Sequence, residues 1–441
     1  MNHPTASPPR DTAAAEPTRY LPPLDGLRGI AILLVFLAHM IGLPLVDSTA
    51  SVDGAVRALA RFGWTGVDLF FVLSGFLITG ILLETRGHPH YWRNYFARRT
   101  LRIVPLYYGA LMLVFVVLPR LVHWTSPEYA TLRANQVWYW TYTVNFLEVL
   151  KSGDMTPLNT AHLWSLSIEE QYYFFWPFIV LLASPRVLTR IAVSAAAFGL
   201  VFRTWLILTH PGHAAAAYVL TPGRLDGLMT GAILAVQMRA PGGLAAVRRA
   251  AACGLWMTGA ALLGLALWQG GFDYHDAATA IIAYPVIAAF YGSVLVLALT
   301  GPASGALGRF LSGYHLRRWG KYSYGLYVVH FPLLGAVTTK LGLLQDRSLI
   351  VHGSHLPAVI LQALIAVPLS YAVAWLSYNL YERRFLALKR YFARDGEGVS
   401  RAAAPVDEPV RDRSSRRTTL THAGARAAPG STATPRLEGF P

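Results

Sequence analysis

Apolar residues in this chain come in long runs with few interruptions, unlike the alternating pattern of a half-buried strand or the single stripe of a soluble helix. Runs of about 20 apolar residues match the hydrocarbon thickness of a bilayer. Ten such segments are read, at 24–45, 64–84, 102–119, 162–183, 190–209, 218–238, 252–270, 278–300, 322–343 and 356–379. The predicted fold class is an all-α polytopic membrane protein, a bundle of about ten transmembrane helices. No internal repeat is evident.

Composition agrees. The 441 residues are 54% hydrophobic and 14% charged, with a mean hydropathy of +0.40, whereas a soluble domain carries about 25% charged residues. The net charge of +15 does not point to nucleic acid, because the basic residues cluster between apolar runs and in the tail. With the N-terminus placed inside, Arg86, Arg93, Arg98, Arg99 and Arg102 fall in an inside loop. So do Arg186 and Arg190; Arg239, Arg248 and Arg249; Arg309, Arg317, Arg318 and Lys321; and Arg383, Arg384, Lys389 and Arg390. The outside loops are poorer, with Arg57 and Arg61, Arg133 and Lys151, Arg224, and Arg347. The positive-inside rule then predicts a cytoplasmic (inner) membrane protein with both termini in the cytoplasm. Residues 1–18 and 391–441, rich in Pro, Ala, Ser, Thr and Arg, read as disordered flanks of a membrane domain spanning 19–390. A signal peptide is the weaker reading of the first run, which lacks a clear cleavage site and is followed by many more spans. The single cysteine, Cys253, permits no intrachain disulfide or thiolate metal cluster, no metal site is predicted, and the residue reads as apolar packing. Trp124, Trp138, Tyr139, Trp140 and Tyr142 in the segment 120–161 suit either the membrane interface or a sugar-stacking surface.

Ionisable groups inside these runs are costly and point to function. "LDGLRGIAILLVFLAHM" carries Arg28 and His39, eleven positions apart. On an α-helix that is close to three turns, about 16 Å along nearly one face. An arginine at the inner mouth suits phosphate, and a histidine deeper in suits proton transfer. The plainer alternative is a snorkelling arginine and a histidine bonded between helices. Asp68 in the second run either orients His39 or another base, or pairs with Arg61. Arg99 and Arg102, one turn apart at the start of the third run, read as topology-setting charge or as a polyphosphate clamp. His162, Ser165 and Glu169, at i, i+3 and i+7, form one stripe opening the fourth run from outside, with Trp164 and Glu170 beside it. The stripe suits a substrate entering from that side, although one carboxylate could simply favour the helix N-terminus. Arg224 and Asp226 could pair with each other. Arg203 lies within "LVFRTWLIL", and His330, in "SYGLYVVHFP", is a second pathway histidine or a packing one.

Seven stretches bring a family into view: "LDGLRGIAILLVFLAHM", "GVDLFFVLSGFLITG", "RRTLRIVPLYY", "HLWSLSIEEQYYFFWP", "RLDGLMTGAILA", "SYGLYVVHFP" and "YNLYERRF". In this order, over residues 20–390, they resemble acyltransferase family 3, the bacterial integral-membrane O-acyltransferases. The resemblance implies a core of about ten helices. It implies an acyl-CoA donor, acetyl-CoA in the first instance, on the cytoplasmic side, and a carbohydrate-type hydroxyl acceptor from the other. No tightly bound cofactor is implied. The family's Arg-x10-His pair falls on Arg28 and His39, its Arg-x-x-Arg pair on Arg99 and Arg102, and its Trp-Ser-Leu-x-x-Glu stretch on Trp164, Ser165, Leu166 and Glu169. The site read on this basis has His39, Glu169 and Asp68 as catalytic groups. Arg28, Arg99 and Arg102 bind the donor, and His162, Trp164, Ser165 and His330 bind the acceptor. "LYERRF" has Arg384 where the family commonly has proline. Some members carry a further C-terminal hydrolase-like domain; none is read here, so acceptor specificity is expected in the membrane core and outer loops.

On this reading CoA's phosphate-rich head is held by the arginines, and its arm reaches His39, the general base for the acceptor hydroxyl. None of the 14 histidines begins a His-x4-Asp motif. The competing function is a transporter or flippase using buried charges as a proton relay.

Overall fold

The computed structural model describes residues 21–45, 50–121, 126–150, 160–210, 214–271, 273, 274 and 276–392, all within the first of two units of the chain, Met1–Gly396. The flanks 1–18 and 393–441, Trp124 and Lys151 lie outside the described residues.

Every regular element among the described residues is helical; the only extended pairing there is an isolated bridge between Val351 and Ser354. The helices are α1 (Pro22–Phe36), α2 (Ser51–Arg61), α3 (Gly66–Thr85), α4 (Tyr91–Met112), α5 (Leu118–Leu121), α6 (Pro127–Ala134), α7 (Gln136–Trp140), α8 (Val144–Leu150) and α9 (Trp164–Leu182). There follow α10 (Pro185–Thr209), α11 (Ala214–Val219), α12 (Leu225–Gln237), α13 (Arg248–Gln269), α14 (Tyr284–Thr300), α15 (Ala306–Leu311), α16 (Tyr314–Leu341), α17 (Leu356–Ser377) and α18 (Arg383–Ala387).

A helix stands at each of the ten segments read from the sequence. Seven helical stretches are long and apolar enough to cross a membrane by length and composition: Pro22–Leu45, Ser51–Thr85, Tyr91–Leu121, Pro185–Thr209, Gly243–Gln269, Thr279–Thr300 and Leu356–Phe392. Helices α9, α12 and α16 fall short of that measure. Two of them, α9 and α16, carry the polar residues of the site, and α12 has only 13 residues, about 20 Å at 1.5 Å each. Helix α12 is a core helix lying against α3, α10 and α14. Large side chains stay exposed on the rim, among them Phe175 on α9, Leu208 on α10 and Trp256, Met257 and Trp268 on α13. Such a surface suits lipid, and the protein is a multi-pass membrane protein.

Several local expectations change. The third helix begins at Tyr91 rather than at 102, so Arg99 and Arg102 sit well inside it, not at its mouth. The first helix is not uniform: after Phe36 it widens into a π-helix, Leu37–Gly42, where the Leu43 N–H reaches back five residues to the Ala38 carbonyl. His39 lies in that wider turn, so the three-turn register with Arg28 is broken; π segments of this kind concentrate at functional sites. Cys253 is exposed on α13 rather than packed. Two described aromatics of the 120–161 segment, Tyr139 and Tyr142, are packed against α4 rather than free for stacking. Tyr142 stacks on Tyr107 of α4 at 4.2 Å, and Tyr139 is buried with its carbonyl accepting from the Tyr107 hydroxyl.

Where lipid is as apolar as leucine, helices associate through close backbone approach at small residues. Gly75 of α3 and Gly231 of α12 show this. A Cβ on Gly75 would lie 2.0 Å from the Leu228 carbonyl oxygen, and one on Gly231 2.1 Å from that of Val72. The obstacle is backbone, so no rotamer relieves it. Gly75→Leu is therefore expected to cost about 1–3 kcal/mol or more by overpacking, read as a lowered thermal midpoint of the purified protein in detergent. An unchanged midpoint would show that α3 and α12 can separate freely. At the other end of the fold, buried Asp53 of α2 holds the start of α17, accepting from Ser354 Oγ at 2.5 Å and from the His355 N–H at 2.7 Å.

Candidate active site

Helices α1, α3, α9 and α16 enclose two cavities that share a wall. The first, about 300 Å³, is lined by His39, His162, Trp64, Trp164, Tyr218 and Phe331, with Arg61 and Asp273 at its edge. The second, about 90 Å³, is lined by Arg28, Arg99, Arg102, Ser74, Glu169, Glu170 and Tyr173. Val67 and Tyr327 line both. The arginine cavity adjoins a third space of about 260 Å³, with which it shares Arg28, Ser74, Arg99 and Arg102, and which adds Asn94, Arg98 and Lys389.

Five basic side chains thus line that space: Arg28, Arg98, Arg99, Arg102 and Lys389. The Arg99 guanidinium lies 3.5 Å above the centre of the Tyr173 ring, a cation–π contact that fixes its plane, and its buried Nε has no hydrogen-bond partner. Glu169 is held in the same cavity. Its Oε1 accepts from Ser74 at 2.7 Å and its Oε2 from the Tyr173 hydroxyl at 2.9 Å. Arg28 pairs loosely with Asp25 at 3.2 Å. Arginine forks converging on a cavity suit phosphate.

The other cavity has a different chemistry. His39 Nδ1 lies 2.8 Å from His330 Nε2. His330 Nδ1 in turn faces the carbonyl oxygens of Tyr327 at 2.8 Å and Leu326 at 3.0 Å. The His39 ring stacks on Phe331 at 4.5 Å. His162 packs edge-on against His330 at 5.1 Å, and neither of its ring nitrogens has a partner at hydrogen-bond geometry. Trp164 packs against Tyr218 at 4.6 Å.

The stripe His162, Ser165, Glu169 does not open to one side. It threads from the histidine cavity through the shared wall into the arginine cavity. Ser165 belongs to the wall, with its Oγ 2.5 Å from the Tyr327 hydroxyl, which also donates to the His162 carbonyl at 3.0 Å. Glu169 therefore accompanies the arginines rather than an acceptor entrance. His330 is fully buried with both ring nitrogens engaged, one of them by His39, and it does not line either cavity. Asp68 meets neither His39 nor Arg61: it pairs with Arg224 at 2.7 Å, while Arg61 pairs with Asp273 at 3.1 Å. Arg224 and Asp226 do not pair with each other, because Asp226 takes Arg203 at 2.5 Å. These crossed pairs lie deep among aromatics, with Arg224 4.3 Å from the centre of the Tyr284 ring. Arg28, Arg99 and Arg102 do converge, and so do His39, His162 and Trp164.

Sequence reading missed Tyr327, Tyr173, Trp64 and Lys389. The first two carried a signal. Tyr327 precedes His330 by three positions and Tyr173 follows Glu169 by four, each on the same helical face as the residue already singled out.

A membrane-embedded helical bundle with a basic cavity backed onto a histidine cavity is the class of protein this geometry defines. A family model described as an acyltransferase domain matches residues 22–379, and the chain belongs to that family, acyltransferase family 3. It is 27% identical over 383 residues to the peptidoglycan O-acetyltransferase OatA of Listeria monocytogenes, covering 82% of this chain and 55% of that one. It is 27% identical to the putative peptidoglycan O-acetyltransferase YrhL of Bacillus subtilis, with 72% and 49% covered. It is 28% identical to the O-acetyltransferase OatA of Staphylococcus aureus, with 72% and 51% covered. The chain spans about half the length of these curated relatives. No solved structure matches it.

Proposed function

We propose that this protein is a membrane O-acyltransferase that moves an acyl group, acetyl in the first instance, from acyl-CoA to a hydroxyl of a carbohydrate-type acceptor. The acceptor classes are a surface glycan, a lipid-linked sugar and a secreted metabolite. The observation that carries this reading is the shared wall at Tyr327 and Val67 between a cavity lined by three arginines and one lined by His39. A molecule with a phosphate-rich head and a long arm ending in a thioester has the shape to occupy both. Relatives named as O-acetyltransferases support the acetyl group.

Arg28, Arg99 and Arg102 hold the phosphates, and the pantetheine arm passes Ser74 and Tyr327. The acceptor enters the histidine cavity, where Trp64, Trp164 and Tyr218 offer faces for a sugar ring. His39 takes the proton of the acceptor hydroxyl as its oxygen bonds to the thioester carbon. The carbon–sulfur bond then breaks and the thiolate recovers the proton. The donor arrives from the cytoplasm of the inner membrane, where both termini lie, and the acceptor from the opposite side, consistent with the basic residues around the arginine entrance. In this reaction Asp68, bound to Arg224, shapes the bundle rather than touching substrate. A transporter has less support, because the deep charges neutralise one another in Arg203–Asp226 and Arg224–Asp68 instead of lining a path.

The full-length protein in nanodiscs, given labelled acetyl-CoA and a glycan acceptor, is expected to release CoA and label the acceptor; no turnover with any acyl-CoA overturns the reading. Arg99→Ala or Arg102→Ala removes a charge-assisted contact worth about 1.5–3 kcal/mol. A donor titration at saturating acceptor is expected to show KM for acetyl-CoA raised by about tenfold or more. An unchanged donor KM in both variants would return these arginines to a topology role.

A further inference from the structure

The contacts of His330 determine more than its own position. Its Nδ1 faces two backbone carbonyl oxygens, Tyr327 at 2.8 Å and Leu326 at 3.0 Å. Carbonyl oxygens only accept, so Nδ1 carries a hydrogen. The rings packed on it are those of Phe36, His39, His162, Tyr327 and Phe331, and no acidic side chain bears on it. A fully buried ring in that setting is held neutral, because an unpaired charge there would be costly. Neutral imidazole has one N–H, so His330 Nε2 is a bare acceptor. The 2.8 Å contact with His39 Nδ1 then requires the hydrogen to sit on His39.

We infer that His330 is a positioning residue that fixes His39 as the Nδ1–H tautomer and thereby makes His39 Nε2 the basic nitrogen of the site. This rests on the general-base assignment of His39 made above. The chain of donors runs from His39 Nδ1–H to His330 Nε2, and from His330 Nδ1–H to the Tyr327 carbonyl. His39 Nε2 takes the acceptor's proton and later returns it to the departing thiolate, while the Nδ1 hydrogen stays in its bond to His330. His330 thus fills, as a neutral acceptor, the orienting place that a carboxylate occupies in a Ser–His–Asp triad. The π-helix contributes by turning the His39 ring toward α16, 291 positions away in sequence.

Two readouts on the full-length protein test this. The first is ¹⁵N-histidine NMR of protein in detergent, with His39 assigned by its loss in His39→Ala. The wild type is expected to carry the His39 proton on Nδ1. His330→Gln, whose amide oxygen can accept at the place of Nε2, keeps it there, and His330→Leu moves it to Nε2. The second readout is kinetic. His330→Leu is expected to lower kcat by about 100-fold with donor KM changed less than about twofold, and His330→Gln to recover at least about tenfold of that loss. A wild-type His39 protonated on Nε2, or equal kcat in the two variants, overturns the inference. If His330→Leu does not fold, the wild-type tautomer and the His330→Gln kcat decide it. A protein without transferase activity but with the proton on Nδ1 supports the dyad and overturns the transferase reading instead.

Discussion

Replacing His39 by alanine is expected to lower acyl transfer by about 10²–10⁴-fold, the range over which a positioned general base acts, while the protein still folds. His39 is only partly buried, at the wall of a cavity, and its main contacts are the rings of Phe331 and His330. Alanine enlarges that cavity and leaves the helix-to-helix contacts of α1 and α16 in place. The measurement is single-turnover transfer at saturating donor, beside the thermal midpoint of the same preparation. Donor binding should persist, because the arginine cavity lies across the Tyr327 wall. Near wild-type turnover in a folded His39→Ala variant would remove His39 from the chemistry.

The largest loss of stability is expected at Arg224. Its guanidinium donates to Asp68 Oδ1 at 2.7 Å, and the side chains are 1% and 5% exposed. Arg224→Met leaves the Asp68 carboxylate buried without its countercharge, a situation that costs about 3–5 kcal/mol. The variant should accumulate poorly and melt well below wild type in detergent. Adding Asp68→Asn removes the stranded charge, so the double variant should regain much of the loss, a non-additivity diagnostic of direct contact. Equal melting of Arg224→Met and wild type would mean that the pair contributes little. Additive losses in the double variant would mean that the two side chains act independently. The neighbouring Arg203–Asp226 pair is a control for specificity, since it should remain formed in both variants.

The places of the long apolar helices and three members of the basic cluster, Arg28, Arg99 and Arg102, were legible along the chain, whereas Arg98 and Lys389 were not singled out. The apolar runs gave all ten segments, and the three-residue spacing of Arg99 and Arg102 gave their common face. The sequence could not show that Asp68 would choose Arg224 over the nearer Arg61, because the choice depends on how α3 meets α12. That crossing is set by Gly75 and Gly231 coming against opposing backbone. Nor could it show the widened turn at Leu37–Gly42: Gly42 and the nearby Pro44 weaken the helix there but do not by themselves specify a five-residue turn. Glu169 was read as facing outward because its helix was taken in isolation; Ser74 of α3 and Arg99 of α4 turn it into the basic cavity.

By itself the sequence determined that this is a bundle of apolar helices, which residues share a helical face, and which ionisable groups are too costly to sit in lipid without a role. The shared faces depend on neighbours three or four residues apart, and the spans on continuous apolar runs of about 20 residues, so both are set within one stretch of chain. Tertiary structure alone decided which charge neutralises which, that His39 leans on His330, and that two cavities share Tyr327 as a wall. Each of these depends on side chains far apart in sequence being packed within hydrogen-bond distance. Such partners are selected by the close fit of helix against helix.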